Sequence, residues 1–194
     1  MSNPKLVLAS TSPYRRELLA RLDIPFAVAA PDIDETPLAG EGPAATALRL
    51  AQAKARALAQ QFPGALIIGS DQVATLDNLQ IGKPGTHDKA VAQLQLMRGR
   101  TVIFHTALAL YDSRDDSIQV NDVQTEVDFR PLSDEFIESY LRKEQPYNCA
   151  GSAKSEGLGI VLMSAMRGTD PNALIGLPLI ELISMLQNAG FRIL

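Results

Sequence analysis

The chain has 194 residues, and its composition of 46% hydrophobic and 21% charged residues excludes disordered and collagen-like proteins while allowing a sizeable core. A formal net charge of −4 argues against a nucleic-acid partner, and the single cysteine, Cys149, excludes an internal disulfide framework and a thiolate zinc cluster. The apolar run near the N-terminus is too short for a signal sequence or a membrane span, so we expect a soluble, cytoplasmic protein without a membrane partner.

Short apolar runs that are enriched in β-branched or aromatic residues, or bounded by Gly and Pro, predict strands. They lie at residues 6–9, 26–30, 65–69, 101–111 and 117–129, with a shorter strand-like stretch at 80–81. A polar turn at 112–116 joins the two longest runs into an antiparallel hairpin, which makes the predicted sheet mixed. No linker, repeat or low-complexity tract is visible, so we expect one domain over residues 1–194.

Apolar periodicity and capping residues predict the helices between these strands. The most regular apolar stripe has spacings of four and three residues, and it consists of Ala44, Leu48, Ala51, Ala55, Leu58 and Phe62. Further helices are expected at 13–22, at 86–97, at 133–143 with Ser133 as the cap, and at 177–188. The alternation of strands and helices indicates an α/β fold.

Hydroxyl and guanidinium groups surround the first predicted strand-to-helix turn, where Ser10 and Ser12 precede Pro13, Arg15 and Arg16. A helix N-terminus has free N–H groups and the positive end of the helix dipole, so these side chains could form an anion site. Alternatively, Ser12 caps the helix, Pro13 occupies its first turn and the arginines are solvated. The turn alone does not decide between the two interpretations.

Carboxylates and a lysine occur in three other segments. Asp71 follows the predicted strand 65–69, and strand ends border the ligand crevice in α/β sheets. Lys83 lies between Gly82 and Pro84, and Glu35 lies in the proline-bounded acidic segment 31–37. Mg²⁺ is usually held by one or two carboxylates plus substrate phosphates, for which Glu35 and Asp71 would be sufficient. The alternatives are a turn residue for Asp71 and a solvated loop for the acidic segment.

Other candidate elements are less specific. The loop 149–159 combines glycines, hydroxyls, a lysine and an acid, and small residues there permit close approach to a ligand. Residues 167–178 are expected to form a loop that leads into the last helix. His87 at a helix start and His105 within a half-buried strand do not indicate a histidine-based mechanism. Neither G-x-x-x-x-G-K-[ST] nor G-x-G-x-x-G is present, so P-loop and Rossmann phosphate sites have no support.

These segments occur in the order and context of the Maf family of nucleotide pyrophosphatases, which the chain resembles over nearly its whole length. The resembling motifs are residues 8–16, Asp34-Glu35, Gly69-Ser70-Asp71, Gly82-Lys83-Pro84, Ala150-Gly151 and Gly176-Leu177-Pro178. The resemblance implies an α/β fold of the Maf and inosine-triphosphatase type, with two lobes around a central cleft, often as a homodimer. It also implies metal-dependent hydrolysis of the α–β bond of nucleoside triphosphates.

Three positions depart from the commonest Maf pattern: Tyr14, Gln72 and Glu156 stand where that pattern has Arg, Thr and Gln. This combination resembles the YceF-like branch, which acts on 7-methyl-GTP, and not the branch acting on dTTP and UTP. N7 methylation makes guanine cationic, which favours an aromatic face, and a carboxylate accepts hydrogen bonds from guanine N1–H and its amino group. Contributions of roughly 0.5–2 and 1.5–3 kcal/mol allow about 30-fold to a few thousand-fold discrimination. Alternatively, Tyr14 packs the helix and Glu156 pairs with Lys154.

The hypothesis for the reaction follows from positioning and charge. The residues expected to cradle the triphosphate and neutralise its charge are Ser10, Ser12, Arg15, Arg16, Lys54 and Lys83. Asp71 is expected to activate water or to hold Mg²⁺ or Mn²⁺, with Glu35 as the other metal ligand. The sequence does not separate the two roles of Asp71.

Three competing functions remain open. The stretch 32–36 fits an Asp-x-Asp-x-Thr nucleophile motif of haloacid-dehalogenase-type phosphatases, although Pro31 removes a hydrogen-bond donor where a central strand should run. A Maf-type protein could also act on other nucleotides such as dTTP or UTP. Finally, it could bind nucleotides without turnover as a regulator of cell division.

Overall fold

A mixed β-sheet forms the centre of the molecule in the computed structural model, which describes residues 3–77 and 79–194. The strands are β1 (Lys5–Ala9), β2 (Ala27–Ala29), β3 (Ala65–Leu76), β4 (Leu79–Ile81), β5 (Thr101–Asp112), β6 (Ser117–Phe129) and β7 (Met163–Gly168). Their order is β2-β1-β3-β5-β6-β7, and β4 pairs with β3. Strands β2, β1 and β3 are parallel neighbours, whereas all other pairs are antiparallel. The predicted mixed α/β fold and the β5–β6 hairpin are therefore confirmed.

Helices cover the sheet. They are α1 (Pro13–Ala20), α2 (Pro43–Ala57), α3 (His87–Met97), α4 (Asp134–Glu144) and α5 (Leu179–Asn188), with 3₁₀ turns at Ala150–Ser152 and Leu158–Leu162. Hydroxyl oxygens of Ser12, Thr86 and Ser133 accept amide hydrogen bonds at the starts of α1, α3 and α4. Among the described residues, no helix has both the length and the apolar character that crossing a membrane would require.

Several predicted boundaries were wrong, and the largest error concerns β3. It does not end at Gly69 but continues through Asp71 to Leu76, because the polar residues from Ser70 onward still pair with β5. Strand β7 was missed and its last two residues were read as loop, since MSAMRG lacks β-branched residues and clear alternation. Helix α2 ends at Ala57, so Phe62 lies beyond it, and α1 and α5 are shorter than predicted.

The apolar core divides into parts that define two lobes. In the first lobe, α1 and α5 pack on one face of β1 and β3, while α2 packs on the other face. In the second lobe, α3 and α4 pack around the far ends of β3 and β5. The long strands β3 and β5 belong to both lobes, so the sheet connects them.

The sheet is open at one position between the lobes. Strand β1 ends where Ala9 pairs with Gly69, and β4 begins to pair only at Ala74. Residues 70–73 of β3 are therefore hydrogen-bonded to a neighbouring strand on the β5 side only. Asp71 lies in this opening, beyond the carboxyl end of β1, even though its own strand continues.

Gly69 lets α2 approach the sheet closely beside this opening. A Cβ atom at Gly69 would lie 2.1 Å from the carbonyl oxygen of Ala51 and 2.8 Å from the amide nitrogen of Ala55. Both atoms are helix backbone, which cannot rotate away. The contact fixes α2 over β3 and thereby brings Lys54, which lies between those two alanines, to Asp71.

We therefore expect Gly69→Ala to lower the free energy of unfolding by about 1–3 kcal/mol or more, because an extra methyl group in a well-packed core typically costs that much. Chemical denaturation monitored by circular dichroism measures the change. Gly82→Ala is the matched control, because a Cβ there meets nothing within 4 Å and the backbone φ is not positive. A Gly69→Ala protein as stable as the Gly82→Ala protein would contradict the proposed packing constraint.

Candidate active site

A cavity of about 330 Å³ lies at the opening in the sheet. Ten of the predicted site residues line it: Ser10, Ser12, Tyr14, Arg15, Glu35, Lys54, Asp71, Gln72, Lys83 and Glu156. Arg16 does not line it, because its side chain lies exposed on α1. Segments more than 140 residues apart in the sequence thus meet in one cleft.

The first turn serves both as a helix cap and as a wall of the cavity. The Ser12 hydroxyl oxygen accepts a hydrogen bond from the Arg15 amide at 3.4 Å, and the Ser10 hydroxyl accepts one from the Ser12 amide at 3.1 Å. Among the described residues, the amides of Thr11 and Tyr14 have no protein acceptor. The predicted Ser12 cap is confirmed, whereas Arg15 is bonded to Gly176 and is not solvated as the capping alternative required. The cap still leaves free N–H donors for an anion among the described residues.

Arg15 connects this turn to the C-terminal wall of the cavity. Its Nε donates a hydrogen bond of 2.8 Å to the carbonyl of Gly176, which also accepts one of 2.9 Å from the buried Ser70 hydroxyl. Burial lowers the pKa of Arg15, although the charges of Asp71 and Glu35 oppose that shift. The guanidinium therefore lies within electrostatic range of both carboxylates.

Two carboxylates and one ammonium form the charged centre. Lys54 Nζ lies 2.7 Å from Asp71 Oδ1 and 2.9 Å from Glu35 Oε1. Lys54 and Asp71 are only 6% and 8% exposed, whereas the Glu35 side chain is 57% exposed. Burial raises the pKa of Glu35, but the hydrogen bond and charge of Lys54, with Lys83 and Arg15 behind it, outweigh burial, and the net shift is downward. The Glu35 carboxylate is therefore ionised at neutral pH.

The oxygen donors of this centre fit a hard divalent cation. Mg²⁺ commonly takes one or two carboxylates and completes its coordination with water and substrate phosphates. Glu35 and Asp71 supply two carboxylates that converge on one point, the position of Lys54 Nζ. Within the described part of the chain, no cluster of three or more His, Cys, Asp or Glu side chains suits a metal. A cation held by Glu35 and Asp71 would complete its coordination with water or with oxygen atoms of a ligand.

An aromatic ring, Tyr14, and an acid, Glu156, also line the cavity. Lys154 Nζ lies 5.5 Å from the centroid of the Tyr14 ring and 3.5 Å from Glu144 Oε1. The alternative that Lys154 pairs with Glu156 is therefore wrong in this structure. Glu156 is exposed into the cavity and, among the described residues, forms no ion pair. Its carboxylate remains available to a ligand.

Gln72 is held by the loop that follows β7. Its Nε2 donates to the carbonyls of Ala173 and Leu174, each at 3.0 Å, and to Thr106 Oγ1 at 2.9 Å. The Thr106 hydroxyl itself donates to Ala173, so it must accept from Gln72. This orientation makes Gln72 a support for the cavity wall. Sequence reasoning missed the wall residues Phe104, Asn148 and Leu174, which no local motif distinguishes.

Neither the two histidines nor the phosphatase-like motif has the position that its proposed catalytic role would need. His105 is a half-buried strand residue bonded to Asp122 at 2.7 Å, and His87 at the start of α3 bonds to Tyr147 and Glu138. Neither lines the cavity. Residues 32–36 follow β2, the three-residue strand at the sheet edge, whereas a phosphatase nucleophile of that type needs a central strand. The dehalogenase-type alternative therefore lacks its structural setting.

Among the described residues, one cleft in a mixed α/β sheet brings together free amides and cations, which suit a phosphate chain, and two carboxylates, which suit a divalent metal. The model of the family described as Maf-like protein matches residues 5–189. The chain belongs to the Maf family.

Individual relatives are similar over almost the whole chain. Proteins named 7-methyl-GTP pyrophosphatase from Methylobacillus flagellatus and Cupriavidus metallidurans are each 65% identical to it. The alignments cover 98% of this chain in both cases, and 100% and 96% of the respective relatives. Among solved structures, a HAM1 protein from Coxiella burnetii is 22% identical with a TM-score of 0.49, over 68% of this chain and 75% of that one.

Proposed function

We propose that this protein is a metal-dependent nucleoside triphosphate pyrophosphatase that converts 7-methyl-GTP and water to 7-methyl-GMP and pyrophosphate. Relatives with that name align along nearly the entire chain. The observation that carries the proposal is one cavity lined by two chemically different groups of residues, cations and carboxylates around Lys54 and an aromatic ring with an acid around Tyr14. A nucleotide likewise has a charged phosphate part and an aromatic base part.

The residues around Lys54 support the following catalytic roles. The free amides of the first turn, together with Arg15 and Lys83, bind the phosphate chain and neutralise charge that moves onto the leaving pyrophosphate. Water attacks the α-phosphorus, and the bond between that atom and the α–β bridging oxygen breaks. Asp71 Oδ is positioned either to accept the proton of this water or to hold the metal.

Glu35 and Asp71 are the residues that would hold the metal. When bound, the metal would neutralise phosphate charge and polarise the phosphoryl oxygens. Arg16 lies outside the cavity, so its predicted contact with phosphate gains no support from the geometry.

The residues around Tyr14 support the proposal that the cavity prefers 7-methylguanine to other bases. With Lys154 directed to Glu144, the negative charge of Glu156 has no partner among the described residues, and a cationic base would supply one. Uracil and thymine would instead present carbonyl oxygens to this carboxylate and be repelled. The Lys154 ammonium already lies over the Tyr14 ring, which supports the proposal that this ring attracts positive charge.

A panel of triphosphates tests the proposal directly. We expect 7-methyl-GTP to give the highest kcat/KM among 7-methyl-GTP, GTP, dTTP and UTP in the presence of Mg²⁺ or Mn²⁺, with pyrophosphate as the product. Release of inorganic phosphate would support a phosphatase instead. Nucleotide binding without turnover would support the regulatory alternative, and preference for dTTP or UTP would contradict the substrate assignment.

The family resemblance also motivates proposals about organisation. We propose that residues 1–194 act as one domain in a cytoplasmic homodimer. Sedimentation equilibrium of the purified protein distinguishes a dimer from a monomer.

A further inference from the structure

Lys54 occupies the point where the two predicted metal ligands converge. It extends from α2, is buried, and its ammonium contacts one oxygen of Asp71 and one of Glu35. We propose that the Lys54 ammonium blocks the binding of a divalent cation to these two carboxylates in the free protein. When the triphosphate binds, its phosphates attract the ammonium away, and the carboxylates can then bind the cation. This inference rests on the proposed function, because it assigns an order of events to the same site.

Distances make the ammonium and a metal competitors. A cation bound by Asp71 and Glu35 would lie about 2.1 Å from each carboxylate oxygen if it were Mg²⁺. Those oxygens are 2.7 and 2.9 Å from Nζ, so a metal between them would lie almost on top of the ammonium. Two positive charges at that separation repel strongly, most of all in a partly buried site. One of them must leave.

The ammonium cannot leave without a replacement anion. Lys54 is 6% exposed, and a buried charge that loses its partner carries a large desolvation cost. Solvent does not provide that partner at this depth, whereas a phosphate chain beside Arg15 and Lys83 would. The metal alone therefore has no means of displacing Lys54 at low cost.

The charge of the cleft leads to the same conclusion. Around Lys54, the three cations Arg15, Lys54 and Lys83 outnumber the two carboxylates Glu35 and Asp71, whereas the third carboxylate of the cavity, Glu156, acts on Cys149 and Lys154. A divalent cation alone would make this positive centre more positive. A divalent cation that arrives with a triphosphate leaves the cleft close to neutral. Metal and nucleotide binding should therefore be positively coupled, and such coupling is reciprocal.

Lys83 offers a matched comparison, because it lines the same cavity but forms no ion pair within the described residues. Mn²⁺ binding to the free protein, measured by electron paramagnetic resonance without nucleotide, should be tighter in Lys54→Met than in wild type by about 5- to 150-fold, the usual range of coupling between sites. Lys83→Met should give a much smaller gain. Adding Glu35→Gln to Lys54→Met should abolish the gain, because one of the two ligands is lost.

Unchanged or weaker Mn²⁺ binding in a folded Lys54→Met protein would overturn the inference. Lys54→Gln retains a polar group and provides a second variant if the methionine variant does not fold. Wild-type protein gives an independent check: its nucleotide-free Mn²⁺ affinity should be on the order of 1 mM or weaker, the weak end for carboxylate sites, and micromolar binding would refute the proposal. Because none of these measurements uses a nucleotide, they can succeed even if 7-methyl-GTP proves not to be the substrate.

Discussion

Asp71→Asn is expected to reduce pyrophosphate release by about 10²–10⁴-fold, the usual contribution of a positioned acid or base, while nucleotide binding measured without metal is largely retained. Asparagine keeps the shape of the side chain and can still accept a hydrogen bond from Lys54, but it neither takes a proton from water nor carries charge for a metal. The phosphate-binding groups of the first turn and Lys83 are unaffected. Single-turnover release of pyrophosphate, with nucleotide affinity from calorimetry, measures the two effects separately.

Asp112 provides a closely matched control for this substitution. Like Asp71, it is a strand aspartate that is less than 9% exposed and bonded to a cation, in this case Arg114. It lies at the far end of β5 and does not line the cavity. Asp112→Asn should therefore lower stability without specific loss of turnover. Substantial turnover by Asp71→Asn would contradict the assignment of Asp71.

The candidate site was largely predictable because its parts are local. Ser12 and Pro13 mark a helix start, and Gly82 and Pro84 confine Lys83, so each wall of the cavity is recognisable within a few residues. The hydrogen bonds that bring the walls together join residues that are far apart in the sequence. The bonds from Gln72 to residues 173 and 174 and from Arg15 to Gly176 join positions more than 100 residues apart. Short sequence windows contain no information about these pairs.

The misread end of β3 has a physical explanation. Apolar residues end at Gly69 because the next three positions, from Ser70 to Gln72, face the cavity and its supporting loop. Polar side chains there indicate the site, but in a sequence they are indistinguishable from a turn. The strand continues because β5 still supplies hydrogen-bond partners to its backbone. The polar residues of the candidate site thus made the strand that carries them hard to recognise in the sequence.

The pairing of Lys154 shows a related limit. Lys154 is two residues from Glu156 and ten from Glu144, so proximity in sequence favours the wrong partner. Glu144 lies at the end of α4, and the Leu158 amide donates to its Oε2 at 2.7 Å, which holds the carboxylate against the loop that carries Lys154. Tertiary packing therefore selects the partner of Lys154, and Glu156 forms no ion pair with any residue that the structure describes.

That free carboxylate leads to the second large expected effect. Glu156→Gln should reduce the preference for 7-methyl-GTP over UTP, measured as the ratio of kcat/KM values, by about 10- to 150-fold, which corresponds to the loss of a charged hydrogen bond worth roughly 1.5–3 kcal/mol. Glutamine can accept one hydrogen bond from guanine, but it has no charge to match the methylated ring. Its amide can also donate to a uracil carbonyl, so UTP should gain while 7-methyl-GTP loses.

Two comparisons isolate this effect. Glu17→Gln removes the same charge from an exposed position on α1 outside the cavity, and its ratio should equal that of wild type. GTP, which lacks the methyl group and its positive charge, separates hydrogen bonding from charge, because Glu156→Gln should cost GTP less than it costs 7-methyl-GTP. If the kcat/KM ratios between 7-methyl-GTP, GTP and UTP remain at their wild-type values in Glu156→Gln, the carboxylate does not contact the base. The cleft would then select its substrate through the Tyr14 ring and the phosphates, without Glu156.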